Sequence, residues 1–242
     1  MRADSPLSVV LCWHMHQPEY SDMQSGTFHL PWTYLHTIKD YVDMAAQLEA
    51  MPDARAVVNF APILLEQIEC YCEQVSSYLQ GHGVIRDPVL AALADPALPG
   101  NLQARLRLMQ DCLRAHRERM IQRFPAYERL AVMADWYQTH PDSLIYASNQ
   151  FLADLLVWYH LSWIAESVRR SDTRIQALQE KAINFSIHDR HQLLEIILEL
   201  MQGVLPRYRE LAERGQVELA MSPYAHTIMT LLIDMNSASE AM

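Results

Sequence analysis

The chain has 242 residues, 50% of them hydrophobic and 20% charged, which is enough for one large domain with its own core. Nineteen lysines and arginines against 29 acidic residues give a net charge of −10, which repels polyanions and excludes nucleic acid as a general partner. A small or neutral ligand meets no such barrier.

The first apolar run, "LSVVLCW" at 7–13, reads as a buried strand. It is too short to span a bilayer and leads into polar residues rather than a cleavage site, so no membrane segment and no export signal are expected. Tyr34, Leu35, Ile38, Tyr41, Val42 and Ala45 then recur at helical spacing and predict an amphipathic helix over 33–50. "ARAVVNF" at 54–60 predicts a second strand, and Pro62 opens a helix that stops near "GHG" at 81–83.

Residues 84–185 show no strand pattern and read as a mostly helical insertion. One helix carries Leu102, Leu106, Met109, Leu113 and Met120; another begins near Ser148. Arginines 105, 107, 114, 117, 119 and 123 spread around the former and read as a solvated face. Ser186 and Asp189 form a capping-box signature for a long helix, with a kink expected at Pro206. "GQVELAM" at 215–221 predicts a third strand. Cys12, Cys70, Cys72 and Cys112 form no CxxC pair and no zinc spacing, and suit reduced core thiols in a cytoplasmic protein.

Strands separated by helices, with strands that read as buried, indicate an α/β fold on a parallel sheet, where ligands gather at the carboxyl ends of the strands. Side chains alternate along a strand, so His14 and His16, at the end of the first one, share a side. Three readings fit that pair: two imidazoles on one metal ion, as in amidohydrolase barrels; hydrogen-bonded core groups; or partners of sugar hydroxyls. Glu218 lies inside the third strand among Val217, Leu219 and Met221, where burial would require a salt bridge or a hydrogen-bonding ligand. Ser222 falls on the same side, and His226 follows in the next loop.

Taken together, "HMHQP" at 14–18 and "GQVELAMSPYAH" at 215–226 resemble the first two motifs of glycoside hydrolase family 57. "LPWTYLHTIKDY", "VVNFAPILLEQI" and "ASNQFLADLLVWYHLSW" are similar to its connecting segments, in order along nearly the whole chain. Thr227 and Thr230 depart from the prolines many members carry there. The resemblance implies a retaining glycosidase or transglycosylase (amylase, glucanotransferase or branching type) acting on an α-glucan or maltooligosaccharide, with no cofactor and no metal. Its implied substrate contacts are His14, His16, Gln17, Glu218 and His226; Trp32, with Trp13, is a candidate for sugar stacking.

The family's nucleophilic glutamate and acid/base aspartate belong to third and fourth motifs beyond the second, and this sequence ends ten residues after "TIMTLL". Retaining hydrolysis needs two carboxylates roughly 5 to 5.5 Å apart. Asp135, Asp142, Asp189 and Glu195 all fall in helical segments, so no catalytic residue is assigned. Residues 1–242 are therefore expected to be the N-terminal part of an incomplete (β/α)7 barrel with a helical insertion at 84–185, the missing C-terminal part being its partner. A non-catalytic carbohydrate-binding or assembly relic is the alternative function.

Overall fold

The computed structural model describes residues 9–22, 24–225 and 233–234. Strands β1 (Cys12–Met15), β2 (Ala56–Phe60) and β3 (Val217–Met221) form one parallel sheet in the order β1-β2-β3. Cys12 and His14 pair with Val57 and Asn59, and these with Glu218 and Ala220. The mixed α/β class with a parallel sheet agrees with the sequence reading.

The first strand is displaced from the expected 7–13. Its extent is set by pairing with β2, so His14 and Met15 join the ladder while Val9 and Val10 stay outside it and are 72% and 75% exposed.

The expected burial of the strands also needs correction. Met15, Ala56, Val58, Phe60 and Val217 are buried on one face, on which Leu219 and Met221 of the edge strand β3 nevertheless stay exposed, whereas Cys12, His14 and Glu218 are exposed on the other. The cause is one-sided packing. Helix α1 (Trp32–His36) leads into α2 (Val42–Ala50), and α2, α3 (Pro62–Leu79) and α10 (Ile187–Glu213) supply the cover. Val42, Ala45 and Leu48 of α2, Leu64 and Ile68 of α3, and Val204, Tyr208 and Leu211 of α10 form the sheet-side core. Phe60 meets the Tyr208 ring edge-on at 5.2 Å. Burying each such side chain contributes about 1.5–3 kcal/mol. Trp13 packs half-buried on this covered face.

The helix expected over 33–50 is present but contains a π turn, Thr37–Tyr41, between α1 and α2. Helix α3 starts with Pro62 at its first position, where the missing N–H is harmless, and ends before Gly81, whose φ of 82° suits glycine.

Between α3 and α10 lie α4 (Pro88–Ala94), α5 (Leu102–Asp111), a π turn (Arg117–Ile121), α6 (Pro125–Thr139), a 3-10 turn (Pro141–Tyr146), α7 (Asn149–Trp163), α8 (Glu166–Ser171) and α9 (Thr173–Lys181). Among the described residues of this region there is no named strand. Every residue of α7 from Phe151 to Trp163 is buried, so α7 is the axis of the helical layer. Ser148 caps it by accepting from the Phe151 N–H at 3.1 Å. The Ser186–Asp189 capping box opens α10, which continues through Pro206.

The single helix expected through Leu102, Leu113 and Met120 is broken instead. Three-residue hydrogen bonds tighten its end at Leu113 and Arg114, and His116 Nδ1 then caps the π turn by accepting from the Arg119 N–H at 3.3 Å. Nor is Arg105 part of a solvated face. It is buried, and its guanidinium donates to the Pro99 and Ala147 carbonyls and to Asn149 Oδ1.

The helical layer is tied to the sheet layer at α8. Asp43 of α2 accepts from the Glu166 and Ser167 N–H groups at 2.8 and 2.9 Å and from the Ser167 hydroxyl at 2.6 Å. An anion at a helix N-terminus satisfies its orphan donors and its dipole together.

Candidate functional site

The uncovered sheet face carries a hydrogen-bonded row across all three strands. Asn59, at the centre, accepts through Oδ1 from His14 Nδ1 at 2.7 Å and from the Ser222 hydroxyl at 2.7 Å. An amide oxygen only accepts, so Nδ1 carries the imidazole hydrogen. His16 lies one step past the end of β1, and its ring stacks on His14 with centroids 5.8 Å apart and planes 25° apart. The structure thus brings the two histidines together at the carboxyl end of the sheet, on the side that alternation required. Among the described residues no group of three or more His, Cys, Asp or Glu side chains is gathered as a metal site.

Glu218 shares this face but not this level. It stands opposite Val57 and therefore level with Cys12. Ideal sheet dimensions put its Cα on the order of 12 Å from that of His14. Glu218 is exposed, contrary to its expected burial, because no described helix covers that face, and it needs no buried ion pair. It borders a hollow of about 520 Å³ at the amino end of the strands, with Val9, Val10, Leu11 and Arg55. Cys12, expected in the core, is exposed on the same face. His226 lies outside the described residues, as do Thr227 and Thr230.

Gln17 and Trp32 meet at the opposite, carboxyl end, in a cleft of about 500 Å³ shared with Tyr20, His36, Arg114, His116 and Trp163. The Tyr20 hydroxyl donates to Gln17 Oε1 at 3.0 Å. The loop that presents Gln17 is held from below by Gln67 of α3. Its Nε2 donates to the Pro18 carbonyl at 3.0 Å, and its Oε1 accepts from the Tyr20 N–H and the Thr33 hydroxyl at 3.3 and 3.1 Å. Gln67 is buried and fully engaged, which fixes the loop after β1 against α3.

Asn59, Gln67, His36 and Trp163 were not marked by the sequence reading. A polar residue inside an apolar strand (Asn59) or helix stripe (Gln67) was the available signal for the first two. Trp163 offered none, since its place in the cleft depends on a contact with Trp32 across 131 positions, at a centroid distance of 5.8 Å.

The family model for glycosyl hydrolase family 57 matches residues 10–242. The chain belongs to this family. No curated protein and no solved structure matched it. As a family 57 member the protein is a glycoside hydrolase by kinship, and its substrate class is carbohydrate. The uncovered face carries hydrogen-bonding side chains and the cleft carries the rings of Trp32 and Trp163. Among the described residues no helix is long and apolar enough to cross a membrane.

Proposed function

We propose that the chain is the substrate-binding part of a retaining, α-glucan-acting glycosidase or transglycosylase, working in the cytoplasm. His14, His16, Gln17, Glu218, His226 and Trp32 contact the glucan. The observation that carries this reading is the His14–Asn59–Ser222 row on a solvent-facing sheet surface. Parallel sheets are normally covered on both faces, so polar groups ordered by one another on an open face have a ligand or further protein as their purpose. On this reading residues 1–242 form the N-terminal part of a (β/α)7 barrel with the helical insertion at 84–185, the open face is turned inward, and further strands complete it.

In the binding step Asn59 fixes the tautomer of His14, so the ring meets a sugar hydroxyl in one orientation. Glu218 accepts from hydroxyls nearer the amino end of the sheet. Hydrolysis with retention needs a nucleophile and an acid/base about 5 to 5.5 Å apart. Glu218 is the one carboxylate in the described strands, so these 242 residues alone bind glucan without turning it over.

Calorimetric titration of the purified chain with maltoheptaose, beside an assay for reducing ends and chain-length redistribution, tests both parts. Binding that weakens about tenfold in Asn59→Ala, with no product, is the expected result. Absence of binding rejects the glucan reading, and turnover abolished by Glu218→Gln rejects the assignment of Glu218 to binding alone.

A further inference from the structure

Trp136 stands apart from the other four tryptophans of the chain. Trp158 and Trp163 are buried and Trp13 and Trp32 half-buried, whereas Trp136, on α6, is 48% exposed. Helix α6 buries Ala126, Tyr127, Ala131 and Ala134 in the helical core. On its other side the exposed residues Arg129, Val132, Met133 and Trp136 fall within an arc of about 100°, and exposed His140 extends the same row just past the last turn. An apolar row on the outside of a helix contributes nothing to the core beneath it, so its purpose lies outside the fold.

The indole is held as a fixed plane. The His140 ring lies almost parallel to it, with centroids 4.6 Å apart and planes 14° apart. His140 Nδ1 is pinned in turn by the Trp136 carbonyl at 3.1 Å and the Thr139 hydroxyl at 2.9 Å, and the Tyr137 ring stands edge-on to the indole at 5.3 Å. Protein therefore backs one side of the indole, and the rest of it faces solvent. Among the described residues the Trp136 Nε1–H and the Arg129 guanidinium donate to no protein group. Shape and size select the class of occupant. The row is one side chain wide and about 16 Å long from position 129 to 140. The exposed parts of five side chains on one helix fall short of the roughly 800 Å² per partner that a stable protein interface buries. A linear chain fits a narrow row. A pyranose has apolar C–H faces bounded by hydroxyls, so a fixed aromatic plane matches the face and N–H donors beside it match the rim. Such a ligand is neutral, and the net charge of −10 does not oppose it.

We propose that the outer face of α6 is a surface binding site for an α-glucan chain, in which Trp136, backed by His140, stacks on one sugar ring and Arg129 donates to hydroxyls further along the chain. None of these residues lines the cleft or belongs to the hydrogen-bonded row on the sheet. The site tethers a long substrate to the helical layer, at a distance from the sheet. The proposal rests on the reading of the substrate as a glucan and gives that substrate a second, separate contact.

The test is titration of the full 242-residue chain with maltoheptaose, beside co-sedimentation with starch granules, comparing wild type, Trp136→Ala, Arg129→Ala and Asn59→Ala. Wild type is expected to show two classes of site. Trp136→Ala is expected to remove one of them and to weaken retention on starch about tenfold, with the melting temperature unchanged because the ring lies outside the core. Arg129→Ala is expected to weaken the same site about threefold. Two sites that survive Trp136→Ala, or a single site that Asn59→Ala alone abolishes, overturn the surface site and leave the sheet reading standing. A single site abolished by Trp136→Ala and untouched by Asn59→Ala supports the surface site and overturns the sheet reading. Absence of wild-type binding to either glucan overturns both. Self-association in sedimentation velocity that Trp136→Ala abolishes, with glucan binding unchanged, assigns the face to a second copy of the chain and overturns the proposal. Should Trp136→Ala not fold, the unmodified chain decides: the Trp136 indole N–H signal shifts on saturation with maltoheptaose, and an unmoved signal overturns the site.

Discussion

The two faces of one three-stranded sheet follow opposite rules in this protein. Met15, Val58 and Phe60 point into helices and are a matter of stability; Cys12, His14, Asn59 and Glu218, set between them by alternation, point away from that cover, and on the proposed reading they meet the substrate. A strand of four or five residues thus carries both tasks at once. Substitutions should accordingly separate by face. Those on the covered side should reduce stability, and those on the open side should reduce binding.

The largest effect is expected from Phe60→Ala, which removes a ring that is 6% exposed and packed on Tyr208. Loss of about 3–5 kcal/mol in denaturant unfolding is expected. A loss no greater than that of an open-face substitution would erase the contrast.

The second prediction sharpens what burial means in the larger helical core. Asp87 caps α4 and accepts from the Tyr71 hydroxyl at 2.8 Å; burial raises its carboxyl to about 6 despite these bonds. His160 bonds the Tyr34 hydroxyl and the Leu156 carbonyl at 3.0 and 2.8 Å, and burial lowers it to about 4. The signs are opposed. A raised carboxyl contributes stability that is present below its ordinary 3.8 and lost as pH rises through about 6. A lowered imidazole contributes stability that is present above its ordinary 6.5 and lost as pH falls through about 4. Each is worth about 3 kcal/mol at most, so in wild type they offset one another across this window. Melting curves between these limits should show Asp87→Asn losing stability on acidification relative to wild type, and His160→Gln gaining it. Parallel curves would dismiss the opposition.

A smaller effect, about 1 kcal/mol, is expected for Ser186→Ala, which removes the α10 cap. It should lower the melting temperature while leaving maltoheptaose binding intact, because α10 packs on the covered face. The smallest stability effect, within about 1 kcal/mol, is expected for His14→Ala, where calorimetry should nonetheless record weakened glucan binding.

Much of this arrangement was legible in the residues. Apolar spacing located the helices, because a stripe facing a core must recur every three to four positions. Ser186 and Asp189 announced the start of α10, and alternation alone placed His14 beside His16. What spacing cannot say is whether a face has a neighbour. Glu218 and Cys12 were assigned to an interior that exists only on the other side of their strands. Arg105 was assigned to solvent, whereas carbonyls at positions 99 and 147 enclose it. The Trp32–Trp163 pair belongs to the same class of fact: it is created by the approach of two helices, and no local pattern encodes that approach.

The π turn at Thr37–Tyr41 has a consequence for the whole architecture. Tyr34 and Leu35 before it, with Ile38 at its start, belong to the helical core; Tyr41 at its end, with Val42, Ala45 and Leu48 after it, belongs to the sheet-side core. An α-helix turns about 100° per residue, so one surplus residue in a wider turn advances the phase of everything that follows. The segment behaves as a single rod that changes allegiance halfway along, serving one interior with its first half and another with its second. A chain shortened by one residue at this point would keep its helix and lose the agreement between the two halves.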